Sequence, residues 1–224
     1  MSSEAELRVG LVELARAVMD CEHCRSPYRP EDLAQPGWIG NRYRPGHGVV
    51  IVLQNPAAAS TKYGTHREDS VQHLLREFKA HPSIESHEQL MRFIFADMAG
   101  EDPCGRPVER PWAKWKHPIS KLVSDREKLA WMNVVKFRTP GKKRKDDPVT
   151  RSAARHGLTE HLQHELKILK PRGIVTIGKE ACSSLRMLRL PSETVLVGHL
   201  KLQGASTVEA KELNRRLLDA GVDV

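Results

Sequence analysis

The chain has no stretch approaching the roughly 20 consecutive apolar residues that a membrane-spanning helix needs. Its first residues, Met1-Ser2-Ser3-Glu4-Ala5-Glu6, lack the basic and apolar regions of a secretion signal. These absences predict no membrane partner and a cytoplasmic protein, nucleoid-associated if the host is bacterial. Cysteine is scarce: Cys21, Cys24, Cys104 and Cys182 are the four. So few, in a reducing compartment, read as thiols or metal ligands rather than as a disulfide framework. No internal repeat or low-complexity segment occurs. Acidic residues are the minority, 28 Asp and Glu against 36 Lys and Arg, for a formal charge of +8 and a pI near 9.5. That balance favours a polyanionic partner, because each cation placed on a phosphate releases a counterion. A merely solvated basic surface is the other reading.

What is present is enough for one well-buried core. The 224 residues read as a single domain, with an N-terminal helix and covering loop over 1–47 and an α/β core over 48–224. Leu7, Leu11, Leu14, Ala15 and Val18 recur at helical spacing, predicting a helix from Glu4 to Met19 that ends at Cys21-Glu22-His23-Cys24. From Arg25 to His47 the text is rich in Pro, Gly and Arg and reads as an ordered loop laid over the domain. Strands are predicted at 48–52, 129–137, 173–177 and 194–197, with helices between them, including a long one over 150–169. Such a β-α-β series predicts an α/β fold of three layers, α/β/α, with a mostly parallel four-stranded sheet.

In open sheets of this kind ligands meet the loops at the carboxyl ends of the strands. The first strand runs into Leu53-Gln54-Asn55-Pro56, the second ends near Asn133, and the last leads to His199. These are the polar groups expected to converge. Asn55 carries donors and an acceptor but no charge, so it can orient a water or read a base edge without acting as a strong base. Asn55-Pro56 as a plain turn initiator is the competing reading.

With these residues in place, the chain resembles the uracil-DNA glycosylase superfamily from about Val49 to the final helix. Leu53-Gln54-Asn55-Pro56 is similar to that family's Gly-Gln-Asp-Pro or Gly-Ile-Asn-Pro loop. Met132-Asn133-Val134-Val135-Lys136-Phe137-Arg138-Thr139-Pro140-Gly141 is similar to the Asn-Val-Val-Lys-Cys-Arg-Pro-Pro-Gly of its iron–sulfur members. The segment from Lys170 to Gly178 resembles their strand ending in Leu-Gly, and His199-Leu200-Lys201-Leu202 stands where the family has His-Pro-Ser and a wedge residue. The departures are Leu53 for Gly, Leu200-Lys201 for Pro-Ser, and Phe137 for a cluster cysteine. No cysteine follows within the next helix either, so half of the family's cluster ligands are absent.

The resemblance implies a monofunctional DNA-repair enzyme that hydrolyses the N-glycosidic bond of uracil in DNA and leaves an abasic site. Its target must be flipped from the stack or taken from a single strand. Asn133 would pair with the uracil edge, the backbone at Gln54 would face the base, and Tyr63 would supply an aromatic floor. Asn55 would position water, and His199 would donate a hydrogen bond to the oxygen where negative charge grows. Leu202 would fill the gap left in the duplex. Lys142, Lys143, Arg144 and Lys145, with Lys136, Arg138 and Lys201, would contact phosphates. The expected partner is uracil-containing DNA, bound by a monomer. No cofactor is required by this reading, and a zinc or iron–sulfur site involving Cys21 and Cys24, completed by Cys104 and a histidine, is the alternative. Two other functions fit the same fold: excision of another deaminated base such as hypoxanthine, and a basic DNA-binding module without chemistry.

Overall fold

The computed structural model describes residues 4–54, 65–98, 122–123, 125–137, 148–200 and 207–222. Helix α1 (Glu4–Asp20) is followed by a 3-10 turn (Glu22–Cys24) and a short strand β1 (Trp38–Ile39). Strand β2 (Val49–Leu53) leads to helices α2 (Thr65–Ala80) and α3 (Ile84–Met98), and then comes strand β3 (Leu129–Asn133). Helix α4 (Pro148–His156), a π-helical segment (Gly157–Leu162) and helix α5 (Gln163–Leu169) form one continuous rod. Strand β4 (Gly173–Ile177), helix α6 (Lys179–Leu185), strand β5 (Val195–Leu200) and helix α7 (Thr207–Asp219) complete the order.

The sheet has five strands in the order β1-β3-β2-β4-β5. The four expected strands are parallel to one another, and β1 adds an antiparallel edge beside β3, Trp38 opposite Trp131 and Ile39 opposite Ala130. A two-residue strand leaves no alternation to read, so a covering loop was the natural expectation for this stretch. Central strands β2 and β4 are near-continuous apolar runs because helices cover both faces.

Alternation divides the core. Val49, Ile51, Trp131, Val175 and Ile177 face one layer, which holds Leu75 and Phe78 of α2, Leu90 and Met91 of α3, and Leu213 and Leu217 of α7. Val50, Val52, Ala130, Met132 and Ile174 face the other, packed by Leu158, Leu162, Leu166 and Leu169 of the rod and by Ala181 and Leu185 of α6. Leu11 of α1 joins the second layer and Ala15 the first, so α1 closes the gap between them. Each such aliphatic side chain contributes roughly 1.5–3 kcal/mol by leaving water.

Local signals explain the boundaries. The rod ends at Lys170, whose backbone is left-handed (φ 44°), and Pro171 prevents its continuation. In β5 the register shifts between Ile174 and Val175, which pair with Leu196 and Gly198, so Val197 is the extra residue. The next residue, Gly198, has a φ of 154°, which L side chains rarely adopt, and a Cβ there would stand 2.8 Å from Leu213 Cδ2 of α7, so a larger residue would be strained. β5 runs on to Leu200, past the predicted end at Val197.

Candidate functional site

The carboxyl ends of the strands form one region of interest. Asn133 ends β3 in the same row as Leu53, Ile177 and Leu200. Pairing continues beyond the strands, because Val134 N–H donates to the Leu53 carbonyl at 2.9 Å and Val135 N–H to the Gln54 carbonyl at 2.7 Å. The backbone of Gln54 is thus held one row beyond Asn133 at the mouth of the sheet. The Gln54 side chain accepts a long contact from Ser184 Oγ of α6 at 3.5 Å. Asn133 is only 3% exposed, and its Oδ1 has no hydrogen-bond partner among the described residues. A buried amide oxygen without a partner costs about 1–3 kcal/mol, so it marks a position set up for an incoming donor or held under strain.

The covering segment is fixed over this end by groups the sequence did not single out. Gln35 N–H donates to the Lys136 carbonyl at 2.6 Å. Gln72 of α2, buried, accepts from Leu33 N–H at 2.7 Å and donates to the Leu33 carbonyl at 3.2 Å. A lone glutamine in a helical pattern gives no signal that it will clamp a loop 39 residues upstream.

Two expectations are corrected. His199 lies inside β5, not in a loop after it, and shares its row with Thr176, Val52 and Met132. Side chains in adjacent rows project to opposite faces, so the exposed imidazole of His199 and the amide of Asn133 do not meet. Three strand spacings also separate their backbones by roughly 14 Å. Lys136 is not a phosphate contact either. Its side chain is fully buried and donates to Glu165 Oε2 at 2.6 Å. The sequence places it beside a basic run, but its counter-ion comes from the rod. Asn55, Tyr63, Arg138, Lys142, Lys143, Arg144, Lys145, Lys201 and Leu202 lie outside the described residues. A cavity of about 460 Å³, lined in part by Lys167, Lys170, Arg172 and Arg189, opens at the opposite, amino end of the sheet. It is the wrong end for a site built from the strand-terminal loops.

A second region was only half legible. Cys21 and Cys24 meet His156 and His161, with all four ligand atoms within 4.8 Å of one another. Cys24 N–H donates to the Cys21 carbonyl at 3.1 Å, closing the 3-10 turn, and a three-residue turn stacks side chains i and i+3. On the other side the π-helical segment closes its turns five residues on, which brings His156 and His161 toward one face. In a regular α-helix the same spacing would splay them apart. Gly157 allows the rod to approach this closely, since a Cβ there would lie 2.2 Å from the Val134 carbonyl oxygen.

Cys21 Sγ lies 3.1 Å from His156 Nε2, and His23 stacks on the His156 ring at 4.8 Å between centroids. His161 is 6% exposed and its Nε2 has no hydrogen-bond partner among the described residues. Burial first, then the charge of Lys136 and the neighbouring His156 and His164, pushes His161 down to about 4, so its ring is neutral at physiological pH. Burial, then the adjacent Cys21, pushes the Cys24 thiol up from its ordinary value. The iron–sulfur cluster of the resembled family needs four thiolates, and the described cysteines outside this pair number one, Cys182 in α6. Cys104, the other cysteine expected to complete a site, lies outside the described residues, and the described residues alone do not supply that cluster's four thiolates.

Fold and sites together define a three-layer α/β protein with a polar strand-end mouth and a separate Cys/His cluster. No family model matches the chain, and no curated protein matches it either. No helix among the described residues is long and apolar enough to cross a membrane.

Proposed function

We propose that the chain is a DNA glycosylase that hydrolyses the N-glycosidic bond of uracil. The observation that carries this reading is the buried Oδ1 of Asn133, without a hydrogen-bond partner among the described residues, at the carboxyl end of a parallel sheet. A fixed amide there accepts from the ring N–H of uracil while its own N–H donates to the neighbouring carbonyl. Cytosine lacks that ring N–H and carries an amino group in place of the carbonyl, so the same amide rejects it. The donated hydrogen bond strengthens as negative charge grows on the departing base, which is stabilisation of the transition state and not of the substrate alone. The net charge of +8 supplies sequence-independent attraction to the phosphate backbone. Asn55 remains the proposed group for positioning water. His199, exposed on the other face of the sheet, takes no part in this version of the reaction.

The same fact about His199 favours a second reading, a basic nucleic-acid-binding module without chemistry. One assay separates the two. Purified protein is incubated with single- and double-stranded oligonucleotides containing uracil or hypoxanthine, then treated with alkali. Strand scission at uracil that is lost in Asn133→Ala supports the glycosylase. Steeply salt-dependent binding with no scission on any substrate supports the binding module and ends the first reading.

A further inference from the structure

We infer that Cys21, Cys24, His156 and His161 form a mononuclear zinc site that joins the end of α1 to the α4–α5 rod. The inference is independent of the glycosylase reading and stands on a different set of residues. Four ligands of types suited to zinc converge from segments 135 residues apart, their ligating atoms lying within 4.8 Å of one another. In a tetrahedral centre with Zn–S near 2.3 Å and Zn–N near 2.0–2.1 Å, adjacent ligand atoms stand roughly 3.3–3.8 Å apart. The cluster therefore needs only small side-chain rotations to close on one ion. His161 supplies the second observation: a buried imidazole nitrogen with no hydrogen-bond partner among the described residues, on a ring that belongs to the cluster with the two sulfurs and His156.

The identity of the ion follows from the donors and from charge. Two thiols and two imidazoles are a tetrahedral zinc set. A two-iron cluster with cysteines on one iron and histidines on the other would hold its sulfurs and nitrogens apart by the width of the cluster. Here a sulfur and a nitrogen are 3.1 Å apart. On binding, both thiols release their protons to solvent, and two thiolates with one divalent cation sum to zero. That neutrality suits a place beside the buried Lys136–Glu165 pair, which is itself neutral overall. Four protein ligands leave no open coordination position, so the ion's role is structural and not catalytic.

Local backbone geometry is shaped to this end. The 3-10 turn aligns the two sulfurs and the π-helical segment aligns the two imidazoles, and both depart from α-helical geometry. His23 covers the outer face of His156, further excluding solvent from the site.

The test is metal analysis of the full chain purified without chelator, by mass spectrometry of the elements and of the intact protein. The result expected is about one zinc per chain, with Cys21 and Cys24 unlinked. Zinc is lost in His161→Ala, kept in His161→Cys, which restores a ligand, and kept in Cys182→Ser, which lies outside the cluster. Cobalt added to the chelated protein gives the visible bands of a tetrahedral thiolate site, a readout that does not require the variants to fold. Removing zinc lowers the thermal midpoint by roughly 10 °C. A chain free of metal that gives no cobalt bands, one that carries iron with acid-labile sulfide, or one with a Cys21–Cys24 disulfide as isolated would each overturn the inference.

Discussion

The strand-end mouth and the Cys/His cluster are built from the same kinds of residue, polar groups far apart in sequence, yet they differ in how far those groups converge. At the mouth, Asn133 and His199 stand on opposite faces of the sheet, so order along the chain did not translate into proximity. At the cluster, four ligands meet although the two histidines carry no signal of their own among the 11 in the chain. The difference lies in the side-chain period. A strand residue displaced by one position reverses its face, and the extra residue at Val197 is enough to displace His199. In the rod the added residue of the π-turn works in the opposite sense and gathers two side chains.

If the cluster region is a structural joint, damage there should show as lost stability. The largest effect is expected at the ion pair beneath it. Lys136→Met leaves the Glu165 carboxylate buried without its counter-ion and should cost about 3–5 kcal/mol in urea unfolding. Adding Glu165→Leu should recover most of that, because an apolar pair of similar volume replaces two desolvated charges. A single variant losing less than about 1 kcal/mol would show that the pair is hydrated in solution.

The mouth should behave in the opposite way, with activity lost and stability little changed. Asn133→Ala should reduce uracil excision by about 10²–10³-fold, the usual effect of removing one donor aimed at developing charge. His199→Ala should change it by less than about threefold, since its ring is exposed on the other face. Equal losses in the two variants would mean that β5 ends earlier in the working enzyme and that the two side chains do converge. That outcome would erase the contrast between the regions.

A smaller effect concerns neither region and serves as their control. His87 of α3 is buried against Phe78, with ring centroids 5.7 Å apart. Burial, and then the charge of Arg8, pushes it down to about 4. The unfolded chain, with an ordinary histidine near 6.5, binds the proton first as pH falls. Stability should therefore be fully present above pH 6.5 and should decline between pH 6.5 and 4 by up to about 3 kcal/mol. His87→Leu should flatten that slope, as measured by urea midpoints at pH 7 and pH 4.5. An unchanged slope would assign the acid sensitivity to other groups.

Much of the fold was legible because its signals are local. Apolar runs bounded by Pro and Gly mark β2 and β4, and β4 spans Gly173–Ile177 as predicted. The leucine spacing from Leu158 to Leu169 marks the rod, although it cannot reveal the π-helical segment within it, since the leucines face the core under either hydrogen-bond pattern. β1 is too short to alternate. Asn133 was legible as a polar residue at the end of an apolar strand. Cys21 and Cys24 were legible as half of a metal site, but their partners were not, because residues five apart do not share an α-helical face. Lys136 was misread because a basic run draws its neighbours into one category, while Glu165 stands 29 residues away on another element.

The most direct test of the account is X-ray absorption at the zinc edge on the purified chain. Two sulfurs near 2.3 Å and two nitrogens near 2.0 Å would match the joint made by Cys21, Cys24, His156 and His161. A shell of four sulfurs, or of oxygen and nitrogen alone, would contradict it.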